Sequence, residues 1–276
     1  RSENDFSLSD TEGIVVKGVA QAFHAKGKKV VVVLNIGGVM EIASWRDLAD
    51  GIVLAWQPGL EAGNAIVDIL SGKVNPSGRL STTFPLKYSD EPSAKNFPGK
   101  EFPEQAIVGL FGRKQIPAEV VYEEGVYVGY RYYNSFHVPT AYEFGYGLSY
   151  TKFDYSKPKL STTDFANKLT VTVTVTNTGK IAGKEVVQLY ISAPSVKTNK
   201  PSSELRAFAK TQKLAPGKSE TLTFTLTEED LASFDTPHST WVADAGNDQV
   251  MIDASSPANK QSATYRSTND ITPEHH

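Results

Sequence analysis

Apolar and polar residues recur along this chain with two different periods, and the change of period divides it. Near the N-terminus the period is helical. Ser9-Asp-Thr-Glu12 reads as a capping box, Val16, Val19, Ala20 and Phe23 follow at helical spacing, and Gly27 supplies the stop. Val30-Val-Val-Val-Leu-Asn-Ile36 is apolar on both faces, the pattern of a parallel strand covered by helices on either side. Gly37-Gly38 predicts a turn into a short helix ending near Trp45. A second buried strand, Gly51-Ile-Val-Leu-Ala-Trp56, follows, and then a helix over residues 59–70. This alternation predicts a doubly wound parallel sheet over residues 1–85. Three helices and two or three strands are too few to complete one, which implies the C-terminal portion of a sheet truncated at its N-terminal end.

Residues 86–151 lose the periodicity. The stretch 86–120 is proline-rich and is predicted as a wrapping segment, with Phe97, Phe102, Leu110 and Phe111 available to pack. Arg131-Tyr132-Tyr133 and Ala141-Tyr-Glu-Phe-Gly-Tyr-Gly-Leu-Ser-Tyr150 then concentrate aromatics and glycines. The glycines Gly125, Gly129, Gly145 and Gly147 permit close backbone approach, so residues 121–150 are expected to link two packed bodies and set their orientation.

From residue 152 the period becomes two. Leu169-Thr-Val-Thr-Val-Thr-Val-Thr-Asn177 alternates apolar residues with threonine, a half-buried strand. Further strands are predicted over 185–191, 205–214, 219–226, 240–243 and 249–253, with a Pro216-Gly217 turn. Six or seven short strands without a cysteine pair indicate a fibronectin type III-like β-sandwich over residues 152–256. Residues 257–276 read as a tail carrying a tag remnant. The fold class is therefore α/β plus all-β.

Composition narrows the chemistry. The 276 residues suit about two domains, and 39% apolar with 21% charged residues is ordinary for a globular chain. A net charge of −3 gives no drive toward nucleic acid. The absence of cysteine excludes disulfides, thiolate catalysis and thiolate metal sites, but does not fix a compartment among cytoplasm, periplasm and exterior. No apolar run approaches the ~20 residues of a membrane span. Arg1-Ser-Glu-Asn-Asp5 has neither an initiator Met nor a signal-peptide pattern, and Glu274-His275-His276 reads as the start of an affinity tag. Both ends point to a fragment or to one half of a cleaved polypeptide.

Most familiar catalytic signatures are missing. Gly37-Gly38 lacks the G-x-G-x-x-G spacing of a dinucleotide turn, the histidines are scattered without metal-ligand spacing, and no G-x-S-x-G elbow occurs. No cofactor or metal is implied. Tyr122-Glu123-Glu124-Gly125, beside Tyr127, Tyr130 and Arg131, suits either sugar hydroxyls or Glu–Arg pairs in an interdomain seam, with the seam favoured. Open α/β sheets bind ligands beyond the carboxyl ends of their strands. That places Asn35, Gly37, Gly38, Trp56 and Gln57 on a candidate substrate-binding rim; the alternative is that Trp56 fills the core.

Several long stretches together resemble glycoside hydrolase family 3, in particular the C-terminal half of its β-glucosidases with a fibronectin type III-like domain. They include residues 28–35, Ala55-Trp-Gln-Pro-Gly59, Asn75-Pro-Ser-Gly-Arg-Leu-Ser-Thr-Thr-Phe-Pro85, residues 121–133, Phe144-Gly-Tyr-Gly-Leu-Ser-Tyr150, residues 183–190 and Glu204-Leu-Arg-Ala-Phe208. The resemblance implies a retaining, exo-acting β-glucosidase of carbohydrate metabolism, the chemistry of cellulose degradation. Its Asp nucleophile would sit on an N-terminal (β/α)8 barrel and its Glu acid/base on a loop of the α/β sandwich. In related enzymes that Glu stands in a Gly-Glu-Gly-x-Asp-Arg segment whose last residue corresponds to Arg1. Glu3, between Ser2 and Asn4, lacks the flanking glycines and is not assigned the role. No catalytic residue is therefore assigned to this chain. The implied partners are the barrel portion, as a separate or cleaved chain, and an oligosaccharide substrate, with neither nucleic acid nor membrane; a homodimer is compatible. A non-catalytic carbohydrate-binding or scaffold protein is the alternative.

Overall fold

The computed structural model describes residues 3–194, 199–256, 261–268 and 270. Its contacts divide the chain into two units. The first comprises residues up to Gln57 with Phe84–Val128 and Val138–Ala141, and the second comprises Pro58–Thr83, Gly129–His137 and the chain from Tyr142 onward.

In the first unit, helix α1 (Asp10–His24) begins as the sequence indicates. The Glu12 carboxylate accepts the Ser9 backbone N–H at 2.9 Å, while Ser9 Oγ accepts from the Glu12 N–H at 3.4 Å. Strands β1 (Val31–Leu34) and β2 (Gly51–Leu54) pair in parallel, Val31 opposite Gly51 and Leu34 opposite Leu54. No regular helix joins them. The predicted short helix is replaced by a turn through Trp45 and a single 3₁₀ turn at Arg46–Leu48, with Glu41 accepting the Ser44 N–H and hydroxyl, both at 2.6 Å, at the start of the turn. Apolar faces expected to be covered are open. Val31 and Val33 of β1 are 45% and 38% exposed, and Ile14, Val15, Val19 and Phe23 of α1 are also exposed, leaving Ala20 as that helix's only fully buried side chain.

Asp50 ties this unit together just before β2. Its carboxylate accepts the Val30 backbone N–H at 2.8 Å, Lys29 Nζ at 2.7 Å and faces His24 Nε2 at 2.8 Å. One side chain thereby joins the end of α1 to the entry of β1, and these donors hold its carboxyl well below the usual carboxylate range, Lys29 contributing most. The proline-rich arm is built from 3₁₀ turns and two minimal antiparallel ladders, Lys100–Glu101 with Ala118–Glu119 and Ile107–Val108 with Lys114–Gln115. Packing was expected of its aromatics, yet Phe111 is 94% exposed and Phe97 is exposed as well. Phe102 is half-buried beneath Lys100 Nζ, and the Leu110 side chain lies outside those described.

In the second unit, helix α2 (Ala62–Leu70) starts three residues later than predicted, after Gly59 adopts a positive φ. Helix α3 (Tyr130–Ser135) precedes the β-sandwich. One sheet holds β3 (Phe153–Tyr155), β4 (Lys159–Leu160), β6 (Lys168–Asn177) and β9 (Ser219–Thr227), with β6 central. The other runs β5 (Asp164–Phe165), β13 (Gln261–Ser267), β12 (Gly246–Asp253), β7 (Val186–Ser192), β8 (Glu204–Lys210). A hairpin of β10 (Ser233–Asp235) and β11 (Thr240–Val242) adds a third piece, entered through the single turn α4 (Glu228–Leu231).

The alternation of β6 works as its sequence implies. Leu169, Val171, Val173 and Val175 are buried against Val187, Leu189, Val250 and Ile252. The threonines of the other face pair across to β9, Thr174 Oγ1 with Thr221 Oγ1 at 2.9 Å. Two corrections concern strands. Residues 257–276, read as a tail, contain β13, whose Tyr265 is buried in the core. Strand β8 ends at Lys210, four residues before the predicted end.

Candidate functional site

The parallel register brings the carboxyl ends of β1 and β2 level, since the Ala55 N–H donates to the Leu34 carbonyl at 2.9 Å. The residues leaving those ends are those singled out from sequence. Asn35 is exposed after β1. Gly37 follows in a bend, and a Cβ there would lie 3.0 Å from Gln57 Nε2, so the exposed Gln57 amide rests against glycine backbone. Gly38 is half-buried beside it. Trp56 takes a left-handed backbone, φ 52°, which disfavours a bulky side chain, and its ring lies 6.4 Å from that of buried Phe84. Trp56 is half-buried, so it neither stands free on the rim nor fills the core. The structure therefore brings Gly37 and Gln57 into contact and anchors Trp56. The Asn35 carboxamide, Gln57 carboxamide and Trp56 indole are neutral hydrogen-bonding groups suited to hydroxyls.

The acidic segment and the arginine that follows it each find partners within their own unit. Glu123 pairs with Lys95 Nζ at 2.7 Å inside the first unit, and this hydrogen bond, then one from Asn96, lowers its carboxyl from the usual range. A carboxyl held ionised in this way is the opposite of a raised general acid. Arg131 belongs to the second unit and pairs there with Glu204 at 3.4 Å. Tyr130 beside it accepts the Leu205 N–H through its hydroxyl at 2.7 Å and packs on Phe144 and Tyr190. Gly145 and Gly147 do allow close approach, with hypothetical Cβ atoms 2.7 Å from Ser255 Cα and 2.6 Å from the Gly78 carbonyl. Gly125 and Gly129 serve instead through positive φ, with open space around them.

Sequence reading missed two knots that hold these pieces. Arg79 donates to the Gly147 carbonyl and pairs with Glu185, both largely buried. Asn75 accepts the Tyr150 N–H at 2.8 Å and the Ser149 hydroxyl at 3.0 Å, and donates to the Ala182 carbonyl at 3.2 Å. Both residues lie within the Asn75–Pro85 stretch quoted above, but their partners sit about 70 to 110 positions away, which no local pattern reveals. Among the described residues, no group of three or more His, Cys, Asp or Glu is placed to hold a metal ion, and no helix is long and apolar enough to cross a membrane.

A parallel strand pair followed in sequence by a two-sheet sandwich defines an α/β plus all-β architecture, and comparison makes the class specific. Residues 2–130 match the glycosyl hydrolase family 3 C-terminal domain, and residues 185–256 match a fibronectin type III-like domain. The chain belongs to glycoside hydrolase family 3, as its C-terminal α/β domain with a fibronectin type III-like domain. It is similar to the β-glucosidase 3B of Thermotoga neapolitana, solved in complex with α-D-glucose, at 47% identity and a TM-score of 0.88 over 98% of this chain and 35% of that one. It is 41% identical to β-glucosidase A of Butyrivibrio fibrisolvens over 84% of this chain and 28% of that protein. It is 35% identical to an exo-α-(1→6)-L-arabinopyranosidase of Bifidobacterium longum over 90% of this chain and 30% of that protein. The chain thus spans about three-tenths of the length of these curated relatives.

Proposed function

We propose that this chain is the C-terminal part of a retaining, exo-acting β-glucosidase that removes terminal β-D-glucosyl residues from oligosaccharides or aryl-glycosides. The observation that carries this reading is the similarity of nearly all of this chain to 35% of the Thermotoga neapolitana enzyme, whose structure holds glucose. Retention requires two carboxyl groups about 5–5.5 Å apart, one attacking the anomeric carbon and one protonating the leaving oxygen. In this reading, the Asp nucleophile lies on an N-terminal (β/α)8 barrel and the Glu acid/base on a loop of the same α/β sandwich, both upstream of this chain. Asn35, Gly37, Gly38, Trp56 and Gln57 form the rim that faces the sugar. The exposed apolar side chains of α1 and β1 support an assembly in which the barrel-bearing portion, with the remaining strands, covers them.

The test compares the chain alone with the chain joined to its barrel portion, on aryl β-D-glucosides and aryl α-L-arabinopyranosides. The expected results are no turnover alone, and β-glucoside hydrolysis with retention at the anomeric carbon, read by NMR, when joined. Turnover by the chain alone, or an inverted product, overturns the reading. Preference for the arabinopyranoside moves the substrate assignment to the other relative.

A further inference from the structure

Phe6 is buried near the start of the chain, 6% exposed, at the end of the helical turn Glu3–Phe6. Its ring lies 5.9 Å from that of half-buried Tyr88 and is tilted by 57°. Its carbonyl accepts the Glu41 backbone N–H at 2.7 Å. One residue thus ties the segment that leads into α1 to two other parts of the same unit, the loop that continues from the rim and the 3₁₀ turn Tyr88–Asp90.

The receiving loop is itself fixed. Glu41 stands four residues beyond Gly37 of the rim, between buried Met40 and buried Ile42. The indole N–H of buried Trp45 donates to the Glu41 carbonyl at 3.0 Å, and the Glu41 carboxylate takes the Ser44 N–H and hydroxyl, both at 2.6 Å. With its N–H given to Phe6, every polar group of Glu41 is engaged, and a fully satisfied network of this kind is rigid.

In the function proposed above, on which this role rests, the acid/base Glu stands on a loop a few residues upstream of Arg1. A loop pinned close by in sequence strays only as far as the intervening residues reach, ~3.5 Å each at full extension. We propose that Phe6 is a positioning residue for that acid, its contacts with Glu41 and Tyr88 setting the distance of the acid/base loop from the rim that carries Asn35, Gly37 and Gln57. Phe6 acts through the acid, on the step in which the carboxyl gives its proton to the glycosidic oxygen as the bond from that oxygen to the anomeric carbon breaks. General acid catalysis contributes ~100-fold or more, and a misplacement of about 1 Å forfeits rate on that scale.

The test uses the enzyme joined to its barrel portion and two substrates read by kcat/KM. Phenyl β-D-glucoside has a poor leaving group that needs the proton; a dinitrophenyl β-D-glucoside has one that departs without it. Phe6→Ala should lower kcat/KM on the phenyl glucoside by roughly 10- to 100-fold and leave the dinitrophenyl glucoside within about threefold. Phe6→Leu, which keeps an apolar side chain in the buried site, should return the ratio of the two to within about threefold of the parent's. Equal losses on both glucosides mark a purely structural defect and overturn the role. If Phe6→Ala fails to fold by circular dichroism, Tyr88→Ala, which removes the other ring of the contact, should lower the same ratio, and an unmoved ratio there overturns the role equally. A parent enzyme that hydrolyses neither glucoside overturns the proposed function and this role with it. Retaining hydrolysis by the parent, with the ratio unmoved in the variants, overturns this role alone.

Discussion

The side-chain carbonyl of Asn75 accepts the backbone N–H of Tyr150 at 2.8 Å, joining residues 75 positions apart in the chain. The same carboxamide accepts from the Ser149 hydroxyl and donates an N–H hydrogen bond to the Ala182 carbonyl, so both of its polar atoms are used. Asn75→Ala leaves the N–H of exposed Tyr150 and the part-buried Ala182 carbonyl without these partners. A loss of about 1 kcal/mol is expected, since a typical hydrogen bond contributes ~0.5–1.5 kcal/mol net. A denaturant midpoint unchanged at constant slope would show that water replaces all three bonds.

Arg79 and Glu185 form a largely buried pair that also binds backbone, through Gly147 and Val186. Removing one partner strands the other charge. Arg79→Met and Glu185→Met should each destabilise by about 3–5 kcal/mol, and the Arg79→Met/Glu185→Met double variant by less than the sum. Strict additivity in thermal unfolding would argue against a coupled pair.

Tyr130 holds β8 through its hydroxyl, which accepts the Leu205 N–H, and packs its ring on Phe144 and on Tyr190 of β7. Tyr130→Phe should cost about 1 kcal/mol and Tyr130→Ala about 3 kcal/mol, because only the latter empties the space between Phe144 and Tyr190. In the barrel-joined enzyme, turnover should fall only after stability does; an unchanged melting temperature with lost turnover would give the segment a direct role on the sugar.

Asp50 gives an acid-dependent effect. Its folded carboxyl is depressed below the ordinary 3.8, so its contribution is complete above pH ~4 and is lost as pH falls through the folded value. Asp50→Asn should therefore be less stable than the parent at pH 6, and the gap should close on acidification below pH 4. A gap independent of pH would assign the effect to shape rather than charge.

The sequence alone determined whatever depends on neighbours along the chain. The Ser9–Glu12 capping box and the Leu169–Asn177 alternation appear in the structure because a cap spans one turn and a strand face repeats every two residues. The paired ends of β1 and β2, and with them the candidate rim, follow from two apolar runs of strand length. Tertiary structure decided the rest. Strand β13 was hidden because three of its inward positions are Gln261, Ala263 and Ser267, leaving Tyr265 as its one large apolar anchor. The short helix predicted after Gly38 shrinks to a turn and one 3₁₀ turn at Arg46–Leu48, a difference that no local pattern showed. The partners of Asn75, Arg79 and Tyr130 lie about 70 to 110 residues away. Such contacts are chosen by burial and by the requirement that buried polar groups be paired, and neither condition exists until the chain has closed on itself.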